Sequence, residues 1–374
     1  MVQNSVEIAI PHRHIYAPKS ILVIRFSSIG DILLTTPVVR LLKTQFPDCQ
    51  IDFVVKEEFA ELLVKNPNIA QLYRYSKTNS NRSLKEIKQQ IRAHRYDLIV
   101  DLHKNFRSYY LSFGSRAQRI VRYRKGVLRR WLLVQFKLFR DRPVIPIFQR
   151  YLNTLLPYQL SNELLQLEIF VPEQIVTRVE KQYGNFIRGS LGPIIGIASG
   201  AKHETKRWTA EGFNAVIRFF IEQQNARVIL FGGATDVDFI NQLQFSRGDH
   251  VLNVAGQLSL LETAALMAHC DLMLTNDSGL MHLATALRKK VVAIFGSTTE
   301  QLGFFPYLTE YLVVQNDMLS CRPCSHIGRK RCPKGHFKCM KDISADQVIA
   351  AMLKLLNEPV RTVKISQCLS QEKG

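Results

Sequence analysis

The tightest constraint on this chain is one grammar written twice: short β-branched apolar runs that alternate with helical stretches, once in each half. Residues 21–26, ILVIRF, have the length and composition of a buried strand and run into the loop SSIGD. The following ILLTTPVVRLLKTQF repeats its apolar positions at helical spacing and predicts one helix, with Pro37 early in it and Pro47 ending it. IDFVVK predicts the next strand. ELLVKNPNI and a helical LKEIKQQIRAH carry the pattern to YDLIVDL at 96–102, another strand. The second run starts with IIGIA at 194–198 and continues through a helix near 210–224, then RVILFGG and DLMLTND. KVVAIFGST at 290–298 reads as the last strand, and a helix at 344–357 closes the pattern, with Ser344 and Gln347 at capping-box spacing.

Such alternation specifies an α/β fold with parallel sheets, and its recurrence specifies two doubly wound, Rossmann-like domains facing a central cleft. The chain's 374 residues suit two domains. The reading divides them into an extension at 1–20, a first domain at 21–175 with a basic insertion, a second at 190–357, and a tail at 358–374. Hydrophobic content of 46% with 22% charged residues is that of a chain with enough apolar surface to fold. No apolar run reaches the roughly 18 residues that span a bilayer, and the first twenty residues lack the core of an export signal. A cytoplasmic location is the expectation. Seven cysteines, an odd number, argue against a disulfide framework.

The net charge of +19 favours phosphate-bearing partners. Between Lys104 and Arg150 stand 13 Lys and Arg and a single acid, Asp141. Within this stretch VRYRKGVLRRWLLVQFKLFR reads as an amphipathic basic helix, suited to an anionic membrane surface. Arginines interleaved with aromatics also suit nucleic acid, a rival reading. A nicotinamide enzyme is disfavoured because no strand leads into G-x-G-x-x-G.

Ligands of doubly wound sheets bind beyond the carboxyl ends of the strands, so the loops there hold the candidate chemistry. After DLMLT come Asn276, Asp277, Ser278, Gly279 and Leu280, where small residues let a diphosphate approach free helix N–H groups. A plain helix start capped by Asp277 has the same composition. IASGAKHETKRW offers Ser199, Gly200, Lys202, Lys206 and Arg207; its cations suit a leaving diphosphate or simply a solvated loop. Trp208 beside them reads as core. In SSIGD, Gly30 permits a tight turn and Asp31 is either a general base or a helix cap. FGGATD brings Asp236, an acid that can meet a ribose, though such turns are common. DLHKNFRS gathers His103, Lys104, Asn105 and Arg107, able to read acidic acceptor groups or to sit in solvent. Cys321, Cys324, Cys332 and Cys339 have the spacing C-x2-C-x7-C-x6-C, which structural zinc or unligated thiols would satisfy equally.

SSIGDILLTTP, DLHKNFRS, SGAKHETKRW and TNDSGLMHLATAL followed by VVAIFGST occur in an order that resembles glycosyltransferase family 9, the ADP-heptose:lipopolysaccharide heptosyltransferases, over residues 20–357. The resemblance implies a GT-B fold with an acceptor domain first and a nucleotide-sugar domain second. It implies inverting transfer without a metal or other cofactor, from an ADP-sugar to a lipid-linked glycan acceptor, by an enzyme at the inner face of the inner membrane, with no nucleic acid involved. By motif position Asp31 resembles the family's catalytic base and Lys206 its phosphate-neutralising lysine. Asp277 to Leu280 with His282 resemble its donor turn, joined by Ser199, Gly200 and Asp236. Ser28, Gly30, His103, Asn105 and Arg107 fall on the acceptor side.

Overall fold

The computed structural model describes residues 17–357 apart from 141, 159–165, 190, 244–247 and 249. Most of the expected extension, and the whole expected tail, lie outside the described residues.

The first half runs β1 (Ser20–Ile24), α1 (Ile29–Leu33), α2 (Thr36–Gln45), β2 (Gln50–Lys56), a 3-10 turn at Glu57–Leu62, and β3 (Gln71–Tyr75). It continues with α3 (Ser80–His94), β4 (Leu98–Asp101), α4 (Phe106–Ser112), β5 (Arg119–Arg122), α5 (Val127–Phe136) and α6 (Ile147–Leu152). α7 (Glu173–Arg188) leads into the second half: β6 (Ile194–Ala198), α8 (Ala210–Gln224), β7 (Arg227–Phe231), α9 (Val237–Ile240), β8 (Val251–Asn253) and α10 (Leu260–Met267). β9 (Leu272–Asn276), α11 (Gly279–Ala286), β10 (Lys290–Phe295), β11 (Tyr311–Gln315), α12 (Lys338–Lys341) and α13 (Ala345–Asn357) complete it.

The strands form two sheets, ordered β3-β2-β1-β4-β5 and β11-β10-β9-β6-β7-β8, with parallel pairings throughout. Both are doubly wound. The direction of winding reverses between β1 and β4 in one sheet and between β6 and β9 in the other, which opens a crevice beyond the strand ends at each place. The central strands β1, β4, β6 and β9 are almost wholly buried, as expected of parallel strands covered on both faces.

The halves meet closely. α1 lies against α11: a Cβ on Gly30 would overlap the His282 ring, and one on Gly279 would come within 2.9 Å of Ile29. The Glu61 carboxylate accepts the backbone N–H groups of Leu260 (3.2 Å) and Leu261 (3.1 Å), so an acid of the first half caps α10 of the second. The Ile147 N–H donates to the Gly303 carbonyl, 3.0 Å away. α7 packs on α10.

Three expectations need correction. The single helix over 32–46 is two helices: Thr35 Oγ1 donates to the Ile32 carbonyl (2.6 Å) and Thr36 Oγ1 to that of Leu33 (2.7 Å), and Pro37 has no N–H to continue the ladder. The basic segment is not one helix from 121 to 140. Its β-branched Ile120 and Val121 pair with β4 as β5, and α5 is bounded by left-handed residues, Gly126 (φ 56°) and Lys137 (φ 62°). Nor is the strand at 290 the last, since β11 adds to its free edge. The capping box at Ser344 and Gln347 is present, with reciprocal bonds of 3.1 and 3.2 Å. Trp208 is core, its indole N–H bonded to the Ile343 carbonyl.

Candidate active site

At the end of β1 the apolar run finishes in a charged residue, Arg25, which is nearly buried and bonds the Leu102 carbonyl at 2.6 Å. Its guanidinium reaches Asp31 Oδ1 at 2.6 Å. The same oxygen accepts from Tyr151 Oη on α6 at 3.2 Å, while Oδ2 accepts from the backbone N–H and hydroxyl of Ser28 at 3.2 and 3.1 Å. Asp31 is therefore not the N-cap of α1; Ser28 is, and Asp31 answers it from the third helical position. Burial pushes its carboxyl up, but the Arg25 cation and the Ser28 bonds outweigh burial and hold it below the usual carboxylate range. It stands ionised at neutral pH with 18% of its side chain exposed.

Opposite, Asn276 ties the two strands of the second switch point together. Its amide donates to the Ser199 carbonyl (2.6 Å) and its oxygen accepts from the Trp208 N–H (3.2 Å). Asp277 is likewise not the cap of α11. Its Oδ2 is engaged by Lys206 at 2.6 Å and by Thr298 Oγ1 at 2.6 Å, leaving Ser278 as an N-cap whose side chain makes no capping bond. The Ser278, Ser199, Thr275 and Thr299 hydroxyls and His282 Nδ1 are buried without a hydrogen-bond partner. Gly279 opens α11, and Leu280 turns back onto the core. Burial holds His282 down at about 4, so its ring is neutral at physiological pH.

The remaining candidates fall into place less evenly. Asp236 pairs with Arg207 at 3.0 Å and accepts the Gly233 N–H; Gly200 faces it, where any Cβ would overlap the carboxylate. His103 stands edge-on to Phe26, and burial, with Arg25 and Lys125 nearby, lowers it to about 3. Asn105 is the N-cap of α4, its side-chain oxygen accepting from the Ser108 N–H. Arg107 is exposed and lies 5.6 Å from the Tyr75 ring.

The cysteine loop packs over the lysine. The Arg329 N–H donates to Thr205 Oγ1 at 2.8 Å and its carbonyl accepts the Thr205 N–H, while Gly328 (φ 102°) lets the loop close over Lys206. The six described cysteines are free, and among the described residues no group of three or more His, Cys, Asp or Glu could hold a metal ion.

Sequence reasoning passed over Arg25, Tyr151 and Thr298. For Arg25 a signal existed, a cation inside a buried apolar run, which must find a partner. Tyr151 lies 120 residues from Asp31 and gave none.

A family model described as glycosyltransferase family 9 (heptosyltransferase) matches residues 84–334. The lipooligosaccharide heptosyltransferase 2 of Haemophilus ducreyi is 28% identical over 353 residues, 90% of this chain and 99% of the relative. Among solved structures, a glycosyltransferase family 9 protein of Veillonella parvula aligns with a TM-score of 0.75 at 26% identity, covering 90% of this chain and 97% of that one. The Escherichia coli heptosyltransferase WaaC, solved with ADP-2-deoxy-2-fluoro heptose, shares the fold at a TM-score of 0.63 and 17% identity, covering 90% and 99%.

Proposed function

Because the chain belongs to glycosyltransferase family 9 and folds as a GT-B enzyme, we propose that the site where the N-termini of α1 and α11 meet transfers a heptose from an ADP-sugar to a lipopolysaccharide core or related glycan, with inversion. The observation that carries this reading is the nearness of an ionised, pinned carboxylate to a helix N-terminus that has no side-chain cap, at the junction of the two halves. A nucleic-acid role for the basic segment finds no support in this family.

In this reading residues 190–357 hold the donor and 21–175 the acceptor. The diphosphate lies at the amides and hydroxyl of Ser278, Gly279 and Leu280, where α11 presents roughly half a positive charge. Ser199 and neutral His282 donate alongside. Lys206 exchanges its Asp277 contact for the phosphate, and Asp236, steadied by Arg207 with Gly200 leaving room, meets the ribose. On the other side Ser28, His103 and Arg107 face the acceptor and Asn105 shapes that turn as a cap, whereas Gly30, expected there, is buried against the His282 ring and lets α1 approach α11. The acceptor hydroxyl gives its proton to Asp31 as its oxygen bonds to the anomeric carbon. The bond from that carbon to phosphate oxygen breaks on the opposite face, and the electron pair leaves with ADP, whose charge Lys206 and the α11 amides stabilise. No metal or cofactor has a part in these steps, so turnover should survive chelation. The acceptor is lipid-borne, and we place the enzyme at an anionic cytoplasmic membrane surface; among the described residues no helix is long and apolar enough to cross one.

Asp31→Asn tests the assignment. Turnover should fall by about 10²- to 10⁴-fold, the range of general-base catalysis, while ADP-sugar affinity stays within about twofold. Turnover within about fivefold of the parent would remove Asp31 from the mechanism.

A further inference from the structure

α4 buries Leu111 in the core yet turns its aromatic residues outward. Its serines face the protein: Ser108 Oγ donates to buried Asp101 at 2.8 Å, and Ser112 Oγ accepts from Arg122 at 2.9 Å. Its aromatics face away from it. Phe106, Tyr109, Tyr110 and Phe113 recur at i, i+3, i+4 and i+7, with Phe106 86% and Phe113 79% exposed. A helix on a water-facing surface hides such a stripe, so one that displays it needs an apolar partner.

The surroundings say which. The same aromatics wall an open apolar cleft of about 490 Å³ that ends at Ile120 and Arg122. Lys88 Nζ stands 4.0 Å from the Tyr110 ring and 5.5 Å from that of Phe113, and the Arg122 guanidinium stands 4.7 Å from Tyr109. Apolar rings that project beyond tyrosines edged by cations match the layering of a bilayer interface with anionic headgroups. α5, which the sequence favoured for this role, also exposes Leu128 and Trp131. Beyond it Lys137 bonds the Pro323 carbonyl at 2.6 Å and Arg140 that of Ser320 at 2.8 Å, tying the halves together, and its apolar residues are less exposed than Phe106 and Phe113.

We propose that α4 docks the protein on an anionic phospholipid bilayer, with Phe106 and Phe113 entering the boundary between headgroups and acyl chains and Lys88 and Arg122 at headgroup level. This deepens the reading of a lipid-borne acceptor, yet its test needs neither donor nor acceptor, so the two can fail separately. The full chain is sedimented with vesicles of phosphatidylglycerol and phosphatidylcholine. The Phe106→Ser/Phe113→Ser variant should partition at least about tenfold less than the parent, and a Leu128→Ser/Trp131→Ser variant within about twofold of it. A parent that stays in solution, an unaffected α4 variant, or a loss confined to the α5 variant each overturns the proposal. A second measurement avoids any loss of fold: in a Trp131→Phe background, Phe113→Trp fluorescence should be quenched by vesicles with brominated acyl chains, and absence of quenching overturns it equally.

Discussion

The two rims of the crevice are finished to different degrees. On the first, both oxygens of Asp31 are taken, by Arg25, Tyr151 and Ser28, and only His103 Nδ1 beside them is buried without a partner. On the second, four hydroxyls and an imidazole nitrogen are buried with nothing to bond, and the helix they surround begins without a side-chain cap. Buried polar groups are normally satisfied, and each one left bare costs about 1–3 kcal/mol. In the proposed reaction one rim is thus pre-organised around the base, and the other holds unmade hydrogen bonds that a bound donor would complete.

Cutting into each rim should show that contrast. The largest effect after loss of Asp31 itself is expected for Lys206→Ala, which takes away the cation proposed to neutralise the departing phosphate. Turnover should fall by about 10²- to 10³-fold, and donor affinity, measured by calorimetry, should weaken as well. An unchanged affinity would move the diphosphate away from Asp277.

Next comes Arg25→Met, which leaves Asp31 chemically intact but unpinned. Without the guanidinium, burial dominates and the Asp31 carboxyl rises, so the acid limb of the kcat/KM profile should move to higher pH. Loss of activity should be greatest at low pH and least on the alkaline side. Breaking a buried ion pair should also cost about 3–5 kcal/mol of stability, seen in denaturant titration. A profile that keeps its acid limb would mean that another group supplies the base.

The smallest change is expected from Ser199→Ala and Ser278→Ala. Each removes a hydroxyl that has no partner in the free protein, so stability should stay level or rise while donor affinity falls by about three- to tenfold. Lower stability with unchanged affinity would show that the hydroxyls belong to the fold and not to the ligand.

Legibility from sequence follows the same physics. The central strands β1, β2, β4, β6, β7, β9 and β10 were readable because strands covered on both faces are continuous apolar runs. The edge strands β3, β5, β8 and β11 are partly exposed along most of their length, so QLYRY, RIVR, VLN and YLVVQ carry too diluted a pattern to declare themselves. The loops of the site were readable for a different reason: they must end central strands, and small or charged residues stand out there. Their bonding was not. Asp31 and Asp277 both stood where caps belong, and each is instead held by a cation, Arg25 or Lys206, that only the folded chain brings to it.

The carboxylate of Glu61 has one further consequence. It belongs to one half of the chain and the helix it closes to the other, so the halves are not interchangeable parts. In a chimera that grafts the first half onto a foreign second half, the acid would find its two amides only if the new neighbour opened a helix at the same height. Shuffling between relatives should therefore tolerate crossovers that carry Glu61 together with the start of α10, and reject those that separate them.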